Sequence, residues 1–468
     1  MIILFLQPYA GVTALDARYK RLAAWLYCTQ MLVILLKIAL AVGAGLLGAW
    51  ALRSQLIELP ERAFMRRALA LQLVPALGLF VAFYIIGHQE PTSDVPGYYL
   101  PAARATLSGQ VPVRDFPVSY APLFSFVAAA LVFAWNSGKV FALFAIVLNA
   151  VALIWWHSAA SVYFERVTVR RCTILYATSG HVLTQALLGT NQAWVSAGLA
   201  ASALLMSRDR STSSGLAQAV VACTTKLLAH LFWPLLWICA PRRLHWLAGA
   251  LLPTAAVYAC FVGAGAGSGL LYPLRHEGEL ISPGNLPYLL DLVLGTTGSL
   301  ERMICDGLTL TALAATTAWF YVRARALPSH NRQTLLLAGL ALLGLVFMFF
   351  SKKSFTGYAV FVMYPVVLAA VSDAANLRAR VVLLLVFNAL LVAEPSLWFH
   401  LEGYRWSLQT WFAMGGGSKA LAFVVVDLAL LACYVYLGWL SARCVLRMAE
   451  GATPSRNSSQ SVTACSLV

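Results

Sequence analysis

Residues 62–99 read RAFMRRALALQLVPALGLFVAFYIIGHQEPTSDVPGYY. Arg62, Arg66 and Arg67 precede residues 68–87, which carry no charge, and a polar stretch follows. At 1.5 Å per residue, a helix of about 20 residues crosses a hydrocarbon core of about 30 Å. Basic residues collect on the cytoplasmic side of a membrane helix, so the arginines set its start there. The polar segment 88–120 is then extracytoplasmic. The rest of the chain is built from similar material. It has 468 residues, 60% hydrophobic and only 11% charged, with mean hydropathy +0.77. Soluble chains carry roughly 25% charged residues, so a large water-facing surface is excluded. The excess of 33 Lys and Arg over 18 Asp and Glu gives +15. In a polytopic chain that excess marks cytoplasmic loops and contacts with membrane lipids, and nucleic acid is not the expected partner.

Further apolar runs lie near 31–52, 140–164, 172–189, 193–207, 245–264, 304–322, 334–350, 357–372, 381–394 and 420–440. The expected fold is an all-α polytopic membrane protein of about 11–14 transmembrane helices, with juxtamembrane helices in its extracytoplasmic loops. Residues 1–67 form an N-terminal segment with an extra helix, 68–448 the transmembrane domain, and 449–468 a Ser/Thr-rich tail of disordered composition. Keeping the arginine clusters at 166–171, 323–332, 378–380 and 443–447 on one side has a condition: the short run 121–135 must be re-entrant. Residues 212–241, bounded by Arg210 and Arg242, must go out and return, which puts Lys226 and His230 at the turn. The first segment fits less well. Parity puts Arg18, Lys20 and Arg21 outside, and Lys37 lies within the apolar run, at a cost of about 3 kcal/mol unless it snorkels or pairs. The nine cysteines are scattered, and no CxxC, HExxH or Cys/His cluster is present, so neither a disulfide framework nor a zinc site is expected.

Three polar loops, 88–120, 265–303 and 394–419, converge on the extracytoplasmic face. The last two carry His276, Glu277, Tyr404 and Arg405, candidates for the acceptor path. The first is the richest in chemistry. Asp94 is followed by Tyr98-Tyr99, an Ala-rich helical turn to Arg104, and Gly109 as a helix stop; then come Pro112, Arg114-Asp115-Phe116, Tyr120 and Pro122-Leu123. Asp94 reads either as a helix N-cap or as a carboxylate poised at the membrane boundary to take a proton or hold a metal. Asp115 is the second candidate, and next to Arg114 it reads equally well as half of a local ion pair.

This order of motifs resembles the GT-C superfamily, and within it the polyprenyl-phosphate-sugar-dependent glycosyltransferases related to bacterial mannosyltransferases and the GPI mannosyltransferase. Those enzymes commonly show Gly-x-x-Pro-Tyr-x-Asp and then Tyr-Pro-Pro-Leu; here Val113 stands at the Tyr and Ala121 at the first Pro. Leu188-Gly189-Thr190-Asn191-Gln192, then Lys226 with Pro234-Leu235, then Ser351-Lys352-Lys353-Ser354-Phe355 with Tyr358 and Tyr364-Pro365, resemble later motifs. The likeness runs from about residue 68 to 370. It implies a multi-pass enzyme of the membrane, in a bacterium the plasma membrane. Such an enzyme moves a sugar, mannose among the options, from a polyprenyl-phosphate donor to a lipid or glycan hydroxyl, normally with inversion. By the same likeness Asp94 is the base or metal-organising group, with Asp115 as runner-up. Tyr98, Arg104, Tyr120, Asn191, Gln192, Lys226, Lys352 and Lys353 bind substrate. No cofactor is required, and a divalent metal at Asp94 is left open. Two rival readings are a transporter or lipid flippase and a polymerase or ligase of lipid-linked glycans. A transporter needs ionisable residues at the midplane of several helices; apart from Lys37, charges are expected at helix ends and in loops.

Overall fold

The computed structural model describes residues 17–273, 281–294, 299–373, 376–401 and 417–451. Among them there is no strand, only one isolated bridge between Pro112 and Phe116. The chain begins with α1 (Ala17–Ala51) and α2 (Glu61–Phe80), the latter prolonged as a π-helical turn to Ile86. A second π-helical turn, Val95–Tyr99, runs into α3 (Leu100–Leu107). It ends as the sequence predicts: Gly109, at φ +87°, takes the left-handed conformation that stops a helix. α4 (Phe124–Ala134), α5 (Lys139–Ala160), α6 (Arg166–Ala177), α7 (Gly180–Leu187), α8 (Gln192–Ser207), α9 (Ser211–Thr224), α10 (Trp233–Cys239) and α11 (Arg243–Gly263) follow. Beyond them come α12 (Leu286–Leu294), α13 (Ser299–Arg325), α14 (Ser329–Phe350), α15 (Met363–Val371), α16 (Leu377–Leu401) and α17 (Gly417–Ala449).

Among the described residues, eight helical segments are long and apolar enough to cross a membrane alone, from Leu32–Ala51 to Phe423–Ala449. The chain is a multi-pass integral membrane protein. Its outer surface agrees, since Leu32, Leu36, Val74, Ile86, Leu252, Leu310 and Val435 are exposed and such a belt is stable only against lipid tails. Eight is fewer than the expected 11–14, because three apolar runs do not form continuous helices of spanning length. Run 172–189 breaks at Thr178–Ser179 between α6 and α7; 193–207 yields only α8, 16 residues long; and 357–372 divides into a 3-10 turn (Thr356–Phe361) and α15. Hydropathy reports the apolar environment without reporting where a helix breaks or how far it runs. The run 121–135 behaves as expected. α4 has 11 residues, about 16 Å at helical rise, too short to cross.

Two ends of the bundle can be told apart. At one, the segments after α1, α5, α8, α10, α13, α15 and α17 meet. Arg166 donates to the carbonyl of Leu59 at 2.9 Å, Tyr163 to Gln333 at 2.5 Å, Gln333 to Asp209 at 3.3 Å, and Arg447 to Asp373 at 2.8 Å. These contacts join the arginine clusters on one end, as the positive-inside reading requires. At the other end lie the loops 87–123, 188–191, 225–232, 264–273, 281–285 and 351–362. Residues 212–241 do form a hairpin, with Lys226 extended (φ −123°, ψ 156°) at its turn.

The interior is packed by aromatics and close helix approaches. Trp156 is fully buried and stacks on Tyr364 with ring centroids 5.9 Å apart. α8 and α9 are zipped by reciprocal bonds between Ser202 and Ser214 (3.0 and 3.1 Å) and by Gln218 to Ser202 (2.8 Å). Small residues and side-chain hydrogen bonds of this kind hold helices together where no hydrophobic drive exists between them. The loop expected at 394–419 starts later, since α16 continues helically to Leu401. His276, Glu277, Tyr404 and Arg405 lie outside the described residues.

Candidate functional site

At the end away from the arginines, a cavity of about 470 Å³ opens among the loops. Six sequence-predicted residues line it: Asp94, Tyr98, Tyr120, Gln192, Lys226 and Lys353. They come from five separate segments, and the fold brings each in by an identifiable local device.

Asp94 follows a tight turn in which Ser93 adopts φ +72°. It stands just ahead of the Val95–Tyr99 turn but makes no side-chain capping bond there. Its Oδ2 instead accepts a hydrogen bond from the Tyr120 hydroxyl at 2.8 Å. The capping alternative is therefore set aside by the geometry. Tyr120 is held by both ring and backbone. Its ring stacks on Phe124 with centroids 4.3 Å apart, and Tyr99 meets it edge-on at 5.3 Å. The next residue, Ala121, donates to the carbonyl of Thr225 at 2.8 Å, and Leu123 to that of Cys223 at 2.9 Å. This short backbone ladder ties Tyr120 to the hairpin that carries Lys226. Burial, with Tyr99 and the Asp94 carboxylate alongside, holds the Tyr120 phenol well above its ordinary range. It stays protonated and remains a donor to Asp94.

Lys226 sits between two aromatic faces, its ammonium 5.1 Å from the Tyr120 ring centre and 5.2 Å from that of Tyr358. It also donates to the Tyr358 hydroxyl at 3.2 Å. The cation–π contacts and the Tyr358 hydroxyl fix the position of the charge at the cavity wall. Gln192 enters from the first turn of α8. Opposite it is Gly357, where a Cβ would lie 3.1 Å from the Gln185 amide oxygen and 3.4 Å from the Gln192 amide nitrogen. Any larger residue there would push the two amides out of place. Lys353 reaches the cavity from the turn after α14.

The other predicted residues lie elsewhere. Asn191 is buried behind the wall, its backbone N–H donating to the Tyr99 hydroxyl at 3.1 Å. Arg104 is exposed on α3 and does not line the cavity. Lys352, only 2% exposed, turns away from its neighbour Lys353 and pairs with Asp306 at 2.7 Å. Asp115 does not line the cavity either. It accepts from Arg114 at 2.8 Å and from the Val111 N–H at 2.7 Å. These bonds draw its carboxyl down to about 2 and make it a brace for the 111–116 turn.

Two features escape a sequence reading. Lys37 of α1 lines the cavity. Glu394 and Asp427 are both 0% exposed, with Thr356 beside the first and the Gly284 backbone beside the second as their polar neighbours. They lie inside the spans Leu377–Trp398 and Phe423–Ala449. The expectation that Lys37 alone departs from helix ends and loops is thus corrected. A single acidic residue in an apolar run gives no sign of which helix it will meet. Neither carboxyl lines the cavity. Among the described residues, no three His, Cys, Asp or Glu side chains come together to hold a metal ion.

No protein-family model matches the chain, and no curated protein is significantly similar to it.

Proposed function

We propose that the protein is a membrane glycosyltransferase of GT-C type. It would move a sugar, mannose among the options, from a polyprenyl-phosphate donor to a hydroxyl of a lipid or glycan acceptor. The observation that carries this reading is the cavity itself: the Asp94 carboxylate among Lys226, Lys353 and Lys37, on the end of the bundle opposite the clustered arginines. By the positive-inside rule that end is extracytoplasmic, in a bacterium the outer side of the plasma membrane. Nucleotide sugars are confined to the cytoplasm, whereas a lipid-borne donor can be presented there. The volume lies within the range of small-ligand sites.

The chemistry balances on these groups. The acceptor oxygen attacks the anomeric carbon and its proton passes to Asp94, which the Tyr120 hydroxyl orients. The bond from the anomeric carbon to the phosphate oxygen breaks, and its electron pair leaves with the phosphate. A sugar phosphodiester of one negative charge becomes a lipid phosphomonoester of up to two. Among the described lining residues, three lysines stand against one carboxylate, so the cavity favours the more anionic product state. Direct displacement by the acceptor, with Asp94 as its base, inverts the anomeric centre.

A second reading, a cation-coupled transporter, draws on Glu394 and Asp427, since buried carboxyls inside spans mark ion paths in other membrane proteins. Against it, neither faces the cavity. The deciding experiment supplies the protein in lipid nanodiscs with a polyprenyl-phosphate sugar carrying a radiolabelled hexose, together with a membrane lipid and glycan extract. Label is expected to pass to a new product. Label that stays on the donor overturns the transferase reading.

A further inference from the structure

Lys37 has no place in the motif order and is costly where it stands. It lies 14 residues before the end of α1 at Ala51, about 21 Å along the helix from the arginine end. It is inside the span Leu32–Ala51. Among the described residues, no hydrogen bond or ion pair holds its ammonium. Intramembrane lysines normally pair, snorkel or serve a ligand.

Packing fixes the helix that carries it. α1 is clamped on its small-residue face: a Cβ on Gly45 would lie 2.1 Å from Leu385, and one on Gly48 would lie 2.1 Å from the Thr178 hydroxyl. On the facing helix, a Cβ at Gly180 would lie 2.2 Å from the Cα of Ala41. Helices that approach this closely through small residues do not slide or rotate freely. Lys37 is half-buried and its neighbours Leu32, Leu35 and Leu36 face lipid. The side chain itself lines the 470 Å³ cavity, near the apolar wall of Ile34, Leu391 and Val392. It thus stands where an apolar, lipid-like surface gives way to the polar pocket of Asp94 and Lys226.

We infer that Lys37 is the membrane-level cation of an isoprenoid-phosphate subsite, so that α1 is an integral part of the binding site. The phosphate lies against the Lys37 ammonium, and the first isoprene units lie on Ile34, Leu391 and Val392. The inference rests on the transferase reading for its choice of phosphate lipid, but its test does not require catalysis.

The test measures equilibrium binding of a short-chain polyprenyl monophosphate and of the matching uncharged polyprenol to the protein in nanodiscs, with inorganic phosphate as competitor. The wild type is expected to prefer the phosphate form over the alcohol, and inorganic phosphate is expected not to displace it. Lys37→Met lowers affinity for the phosphate form about tenfold, as expected for loss of one charge-assisted contact, and leaves polyprenol binding unchanged. Lys37→Arg stays within about threefold of wild type. Removing an unpaired charge from a span also raises the thermal midpoint of Lys37→Met, whereas loss of a structural contact would lower it. Lys37→Gln serves as a second neutral variant should Met fail to fold.

The inference is overturned if Lys37→Met or Lys37→Gln binds the monophosphate as tightly as wild type, or if the wild type does not distinguish phosphate from alcohol. Displacement by inorganic phosphate would also overturn it, by showing a free-anion site. The two readings separate cleanly. A Lys37-dependent phosphate preference without sugar transfer keeps the subsite and removes the transferase. Sugar transfer with an unchanged donor KM in Lys37→Met does the reverse.

Discussion

The two ends of the bundle are both cationic, yet they are built on opposite principles. At the arginine end the most buried charge is paired directly with a carboxylate. Arg170 is 0% exposed and donates to Glu61 at 2.7 Å and to the carbonyls of Ile57 and Leu59 at 2.7 and 2.6 Å. His157 adds a 2.6 Å contact to the same Glu61. At the cavity end, lysines gather around open space, and Lys226 is held by aromatic rings and a phenol. Charge alone therefore does not mark a site. Charge gathered from several segments around a cavity does. Lys352 and Lys353 show the distinction between adjacent residues, one paired with Asp306 and the other lining the cavity.

The contrast can be broken from either side. The largest effect is expected at Asp94. Asp94→Asn keeps the shape and the Tyr120 contact but cannot take a proton, so transfer should fall by about 10²–10⁴-fold, while donor affinity stays within about threefold. Transfer assays and donor-binding titrations on the same nanodisc sample check both halves. Next comes Arg170→Met at the opposite end. It takes the guanidinium away from the Glu61 carboxylate and the donor from the Ile57 carbonyl, while Leu59 keeps Arg166, and should cost about 3 kcal/mol of stability. A thermal melt would show this as a lowered midpoint, with transfer per folded molecule unchanged; a selective loss of transfer would mean that the arginine end reaches the chemistry. The smallest effect belongs to Asp115→Asn. Its carboxyl is drawn down to about 2, mainly by Arg114, so the brace holds above the ordinary carboxylate range and is lost only as pH falls through about 2. Transfer by Asp115→Asn should stay within about twofold of wild type at neutral pH.

Much of this was legible in the sequence, for reasons that differ by element. Eight spans follow from apolar length, and α4 from an apolar run too short to cross. The broken helices at Thr178–Ser179 and Thr356–Phe361 were not legible, because hydropathy is blind to where a backbone ladder stops. In the site, Asp94, Tyr98, Tyr120, Gln192, Lys226 and Lys353 could be picked out by their order along the chain, since each sits where an apolar run gives way to polar loop. That same signal also picks out Arg104, Asn191, Lys352 and Asp115, which do not line the cavity. Whether a loop residue faces a cavity or a neighbour depends on side-chain direction, which alternates from one position to the next. Lys37, Glu394 and Asp427 were hidden for the converse reason. Each is a single charged residue in an apolar helix, and only tertiary packing decides what it meets.

The account's central claim is a single displacement at a cavity with one base. The most direct test is the anomeric configuration of the product, read by NMR after transfer from a polyprenyl-phosphate sugar of known configuration. Inversion at the anomeric carbon is the result expected. Retention, or transfer from a nucleotide sugar in place of the lipid-linked donor, would contradict it.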